Sequence, residues 1–370
     1  MERHSLESVG RDTDYPSVSL FFTEVSKLSM KSTLKSTMDN SFQKNSKQRM
    51  LGVWDLRASA ITLGGLLLFV EELLIAARRQ FLPEVCDIAI VQNKSRETGN
   101  GVAALTRENC EEYPVLSVLF DLAGIGRIFL IETGVLSKFV EDNGYDLWPT
   151  KSVKPGYRYG TTLFAQEFFK EHGFVPQLSC SLQARKRAGD FYRKHIAPNL
   201  PVVMHLKNNP RHQGQSNANL PAWFEFFAHR SSRDKVKFIL IGNEDPGEEI
   251  RGLANVVLTQ DDRDDLGRDL ALIEMAFLFM GMASGPCNLA IFSNVPYMIF
   301  KNPDHHTQEM KRELRGQDHF VFARPLQKML RVVETGAGLI KEWEHFLTHL
   351  SPQDWQVRLE QIDHKKVEFL

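Results

Sequence analysis

Ala283-Ser284-Gly285-Pro286-Cys287-Asn288 holds the residue types best suited to chemistry in this chain. Glycine after serine lets backbone come close to a ligand. Proline suits the first position of a helix, where no N–H partner is needed. A helix opening there would turn free N–H groups and the positive end of its dipole toward an anion such as a diphosphate. An ordinary tight turn between strand and helix would read the same way. Three other groupings invite chemistry and carry less. Asp261-Asp262-Arg263-Asp264-Asp265 has a carboxylate spacing that suits a divalent cation, but acids also gather at helix starts. Gly124-Ile125-Gly126 is a fragment of a dinucleotide fingerprint that precedes a strand and lacks the third glycine. His305-His306 has no third spaced ligand and reads as loop.

Short apolar runs alternating with helical stretches must position these residues. Strands are expected at 51–57, 85–91, 127–131 and 145–148, with helices at 66–80, 112–123, 162–172 and 182–195. Pro198 and Pro201 punctuate the chain. A second series follows, with strands at 202–206, 236–241, 255–258, 277–280 and 296–300 and helices at 221–229, 266–276 and 286–293. Strands that are apolar throughout are buried on both faces, as in a doubly wound parallel sheet. Helices at 340–350 and 351–365 close the chain, and are expected to pack back across the joint. Residues 1–50, polar and poor in large apolar side chains, read as a largely disordered extension. The expected divisions are thus 1–50, 51–197, 198–339 and 340–370.

The chain has 370 residues, 42% hydrophobic and 25% charged, with 25 Phe, so it can bury substantial cores. Lys+Arg 45 against Asp+Glu 46 leaves a formal charge of -1, no footprint for nucleic acid as the main partner. Cys86, Cys110, Cys180 and Cys287 form no paired motif and read as reduced thiols. From the polar N-terminus no signal peptide is expected, and the apolar run at 61–70 falls short of the roughly 20 residues of a membrane span. The expectation is a cytoplasmic protein.

The segment Ala283 to Ala290, with Pro296 before an apolar strand, resembles the donor-site motif of GT-B glycosyltransferases, nearest in flavour to the heptosyltransferase-like group. Ser284-Gly285, Leu289-Ala290 and Pro296 match that pattern, while Ala283 stands where it has an acid and Asn288 where it has a histidine. The likeness covers mainly 200–305. It implies an α/β protein of two facing Rossmann-like domains: 51–197 on the acceptor side, 198–339 binding a nucleotide-sugar. It implies transfer of a hexosyl- or heptosyl-type sugar to a glycan or lipid-linked acceptor, as in polysaccharide biosynthesis, with neither metal nor cofactor. A lipid-linked acceptor would bring weak peripheral contact with the inner face of a membrane. Lys207 or Arg211, after the first strand of the donor half, would pair with the diphosphate, next to Ser284, Gly285, Pro286 and Asn288. Glu274 would hold the ribose hydroxyls. Asp55, or failing it Glu132, would be the general base, and Gly64-Gly65 would form the loop facing the acceptor. Two alternatives share the donor pocket: a nucleotide-sugar epimerase, and a catalytically degenerate sugar-nucleotide-binding protein.

Overall fold

A computed structural model describes residues 49–92, 101–110, 114–149, 161–209, 216–230, 235–262 and 265–350. The expected extension at 1–50, Arg211 and the expected helix over 351–365 fall wholly or almost wholly outside the described residues.

The first half is built on β1 (Met50–Asp55), β2 (Cys86–Gln92), β3 (Val102–Ala104), β4 (Ile125–Glu132) and β5 (Asp146–Trp148), in spatial order β3-β4-β2-β1-β5. Neighbours are parallel except the β3–β4 pair. The second half holds β6 (Leu200–His205), β7 (Val236–Leu240), β8 (Val256–Leu258), β9 (Leu278–Met282), β10 (Tyr297–Phe300) and β11 (Gln327–Leu330). These six are all parallel, in order β11-β10-β9-β6-β7-β8. The chain enters at the middle, winds out to β8, returns to β9 and winds out the other way. That is the Rossmann order, with its switch point between β6 and β9. The expected architecture of two α/β halves with parallel sheets is the one found.

Both faces of the second sheet are buried because successive side chains alternate between two cores. Val202, Met204, Phe238, Leu240, Leu278, Met280, Met298 and Phe300 face one core with Trp223, Phe226 and Trp343. Val203, Ile239, Phe279, Tyr297 and Ile299 face the other, which is continuous with the core under the first sheet, including Trp54, Phe69, Ile88 and Ile90. The halves therefore share a hydrophobic layer.

One expected element takes another form, and two helices pack on the second half. The described part of the helix expected at 112–123 is instead a 3-10 segment, Pro114–Asp121, followed by Leu122 and Ala123, with the Ser117 hydroxyl donating to the Pro114 carbonyl at 2.6 Å. The helix Leu182–His195, which the boundary at 197–198 would leave with the first half, packs on the helix Leu266–Met275 of the second. On it Arg185 pairs with Glu274, and Arg187 bridges Asp265 and, from the first half, Asp121. The helix Gly336–His349 does not cross the joint. Leu339, Trp343 and Phe346 bury it against the helix Leu220–Arg230, on the outer core of the second half.

Candidate functional site

A cavity of about 870 Å³ lies where the two halves meet. Its size is ordinary for a small-molecule site. The second sheet contributes the residues just past its strand ends: His205 and Lys207 after β6, Gly242 to Glu244 after β7, Ala283 to Pro286 after β9, and Lys301, His305 and His306 after β10. These flank the switch point, where open parallel sheets place ligands. The first half contributes Thr62, Leu63, Gly64, Pro114, Val115 and Ser117.

The two walls touch through glycine. A Cβ on Gly285 would lie 2.9 Å from the Gly64 nitrogen and 3.0 Å from Leu63 Cβ. Asn288 Nδ2 donates to the Gly64 carbonyl at 2.8 Å. Gly285 thus allows close approach of the other half, and Asn288 ties that contact. Gly64 and Gly65 are not a loop. The Thr62 hydroxyl accepts from Gly65 N–H at 3.2 Å and the Thr62 carbonyl from Leu66 N–H at 2.9 Å, which starts the helix Leu63–Arg79 ahead of both glycines. Pro286 does precede a helix, but that helix has only five residues, Cys287–Ile291, so its dipole is short. The Ser284 hydroxyl donates its single proton to the Met282 carbonyl at 3.1 Å, and would have to turn to serve an anion.

Charge comes from lysine. Neither Lys207 nor Lys301 forms an ion pair among the described residues. Burial pushes the Lys301 ammonium below its ordinary range, partly opposed by nearby Cys287 and Glu313. Two carboxylates share the wall. Glu244 lies 3.2 Å from His205 Nε2; burial alone would raise its carboxyl, but the hydrogen bond and charge of His205 outweigh that and hold it low. Gly242 makes the pair fit: at φ 91°, a Cβ there would lie 2.7 Å from Glu244 Oε2 and 2.9 Å from His205 Nε2. Asp269 accepts from Gly242 N–H and the Thr259 hydroxyl, both at 3.1 Å, and burial pushes it up to about 6 against the pull of Arg268.

Three sequence candidates lie off this cavity. Glu274 is taken by Arg185, at 2.6 Å and 3.1 Å, and by the Cys180 amide at 3.1 Å. Asp55, at the end of β1, accepts from Arg57 Nε at 2.8 Å and Nη2 at 2.5 Å, and those bonds hold its carboxyl below the ordinary range. Glu132 ends β4. The described acids of the Asp261–Asp265 run do not converge: Asp261 pairs with Arg251, Asp262 with Lys194 and Arg268, and Asp265 with Arg187 while capping a helix at Arg268 N–H. No cluster of three or more His, Cys, Asp or Glu poised for a metal occurs among the described residues. Sequence reasoning missed Glu244, Asp269, Lys301 and the His305–His306 pair as cavity residues. Lys301 follows a buried strand as directly as Lys207 does, so the same rule would have found it.

No protein-family model matches the sequence, and no curated protein matches it. Among solved structures, a family 9 glycosyltransferase from Veillonella parvula is similar at 12% identity, over 82% of this chain and 98% of that one, with a TM-score of 0.46. The E. coli ADP-heptose heptosyltransferase II is similar at 12% identity over 85% and 98%, TM-score 0.44. The E. coli heptosyltransferase WaaC with ADP-2-deoxy-2-fluoro heptose is similar at 13% over 80% and 99%, TM-score 0.42. No helix among the described residues is long and apolar enough to cross a membrane.

Proposed function

We propose that this chain is a glycosyltransferase that moves a sugar from a nucleoside-diphosphate-sugar donor to a glycan or lipid-linked acceptor, without a bound metal. The observation that carries the reading is the pair Lys207 and Lys301, which follow β6 and β10 and share the cavity wall with the Ser284–Pro286 turn at the switch point. Glycosyl transfer puts negative charge on a departing diphosphate. Fixed cations aimed at that group stabilise the charge as it develops. The carboxylates of Glu244 and Asp269 would face the donor's hydroxyls, a task that Glu274, engaged by Arg185, is not placed to perform. The acceptor would enter from the first half. Asp55 or Glu132, at the matching strand ends of that sheet, is the proposed base for its hydroxyl, and Asp55 would have to exchange Arg57 for the acceptor.

Incubation of the purified chain with a panel of nucleotide-sugars, with and without glycan and lipid-linked acceptors, tests this reading. Free nucleoside diphosphate should appear only when acceptor is present. Change of the donor sugar without acceptor would make the chain an epimerase, and binding without turnover a binding protein.

A further inference from the structure

His305 and His306 line the cavity, yet glycosyl transfer as described gives them no task. Their ring centroids lie 4.0 Å apart. Behind them, Arg331 donates to the carbonyls of His305, at 2.7 Å, and Pro303. His306 is held in the left-handed region, at φ 53°, directly before the helix Thr307–Leu314. Such a backbone in a bulky residue persists where its surroundings fix it, and the Arg331 brace does so here. Lys301 Nζ lies 3.4 Å from His306 Nδ1, in reach for an ammonium to donate to an unprotonated ring nitrogen.

The charges that face the pair come from every side. Lys207 follows β6, Lys301 and Asp304 lie on the same loop, Arg331 follows β11, and Glu309 and Glu313 lie on the helix that follows. Cations prevail next to the rings. Burial and these cations push His305 down to about 4, and burial with Lys301 pushes His306 down as well. The surroundings thus favour the neutral form of both imidazoles, beside two lysine side chains on one cavity wall.

An anion reverses that balance, because negative charge between the lysines favours the charged form of an adjacent imidazole. Protonation of His306 at Nδ1 also breaks the bond from Lys301. The ammonium is then released toward the anion at the moment the ring gains a donor of its own. One proton passes from the buffer acid to a ring nitrogen, leaving the buffer's conjugate base, and no other bond forms or breaks.

We propose that the His305–His306 turn, with Lys207 and Lys301, is the seat of a phosphate group, and that a diphosphate enters it together with a proton taken up by the imidazole pair. This rests on the reading of the cleft as a diphosphate site. It adds how the ligand is held and a dependence on pH.

Calorimetric titration of the full chain separates the two. The probes are inorganic pyrophosphate and the diphosphates of adenosine, guanosine and uridine. Each is measured between pH 6 and 9 in buffers of differing ionisation heat, for the wild type and for His305→Asn/His306→Asn. The wild type should take up about one proton more per bound ligand than the variant. Its advantage in affinity should shrink by up to about tenfold per pH unit as pH rises. Equal proton uptake and parallel affinities in the two proteins would overturn the proposal and leave the donor site standing. Pyrophosphate binding with the extra proton, but no nucleoside diphosphate binding, would keep the phosphate seat and remove the nucleotide-sugar reading. Absence of binding by every probe would overturn both. Ring-nitrogen shifts of ¹⁵N-histidine in the wild type, with and without pyrophosphate, read the same protonation even if the variant fails to fold, and unchanged shifts on saturation would also overturn it.

Discussion

Adding one methyl group at Gly285 tests the contact on which the cleft depends. The Cβ of Gly285→Ala would lie 2.9 Å from the Gly64 nitrogen and 3.0 Å from Leu63 Cβ, both part of the opposite wall. Carbon atoms at rest sit about 3.5–4.0 Å apart, so the walls must separate by roughly 0.5–1 Å. Overpacking of this kind costs about 1–3 kcal/mol. The same movement stretches the 2.8 Å bond from Asn288 to Gly64, for roughly 1 kcal/mol more. At about 2 °C per kcal/mol for a chain of this size, the melting temperature should fall by about 4–8 °C. Gly64→Ala is the informative partner. Its Cβ would lie 3.1 Å from Gly285 Cα, a similar squeeze, but the residue is in a helix, where alanine is favoured over glycine by about 1 kcal/mol. The loss there should be smaller by that amount. Scanning calorimetry of both variants reads the difference. A Gly285→Ala protein that melts with the wild type would refute the close approach of the walls, and with it the geometry of the cleft.

Lys207→Ala and Lys301→Ala should each weaken nucleoside diphosphate binding by about tenfold or more, the worth of a charge-assisted hydrogen bond, while melting temperatures change little; unaltered affinity in titration calorimetry would remove the anion site. Asp55→Asn should lower turnover by roughly 100-fold with donor affinity intact if it is the base, and Glu132→Gln should do so if the role is its own; normal rates in both would place the base elsewhere. Turnover should survive chelation by EDTA, and its restoration by manganese after loss would contradict the proposed handling of the leaving group by lysine. Asp87 is fully buried; burial raises its carboxyl, but Tyr145 and Arg127 outweigh this and hold it low. A carboxyl lowered on folding adds stability above its unfolded value, near pH 4, which is lost as pH falls through the folded one. Urea midpoints of the wild type should therefore drop steeply below pH 4, and Asp87→Ala, weaker by about 3 kcal/mol at pH 7, should show a shallower drop.

The second sheet was the more legible half because its strands are apolar on both sides and end at punctuating residues such as Gly242 and Pro286. The residue past each strand end is then placed by topology, which is why Lys207 and Ser284–Pro286 were found. What escaped depends on contacts between segments far apart in the chain. Glu274 sits in an apolar stretch before the motif, and only the fold brings Arg185 to it. Gly64 looks like a turn residue until the Thr62 cap and the approach of Gly285 are seen. Asp55 stands at the expected strand end, but an arginine two residues later claims its carboxylate. β3, β11 and the helix Thr307–Leu314 are short or weakly apolar and left little pattern to read.

The shared hydrophobic layer has a consequence for engineering. Leu67, Phe69 and Leu73 from the first half and Leu270, Leu289 and Phe292 from the second belong to one core, so neither half closes its own interior. A fragment cut at residue 198 would carry the exposed side of that layer into water, together with the helix Leu182–His195, whose Arg185 would lose Glu274 and whose Arg187 would lose Asp265 and keep only Asp121. Chimeras that exchange the second half should fail to fold unless the exchanged piece begins before residue 182 and brings a complementary set of joint residues. The two halves are thus one packing unit, and a change to the joint surface of one must be matched on the other.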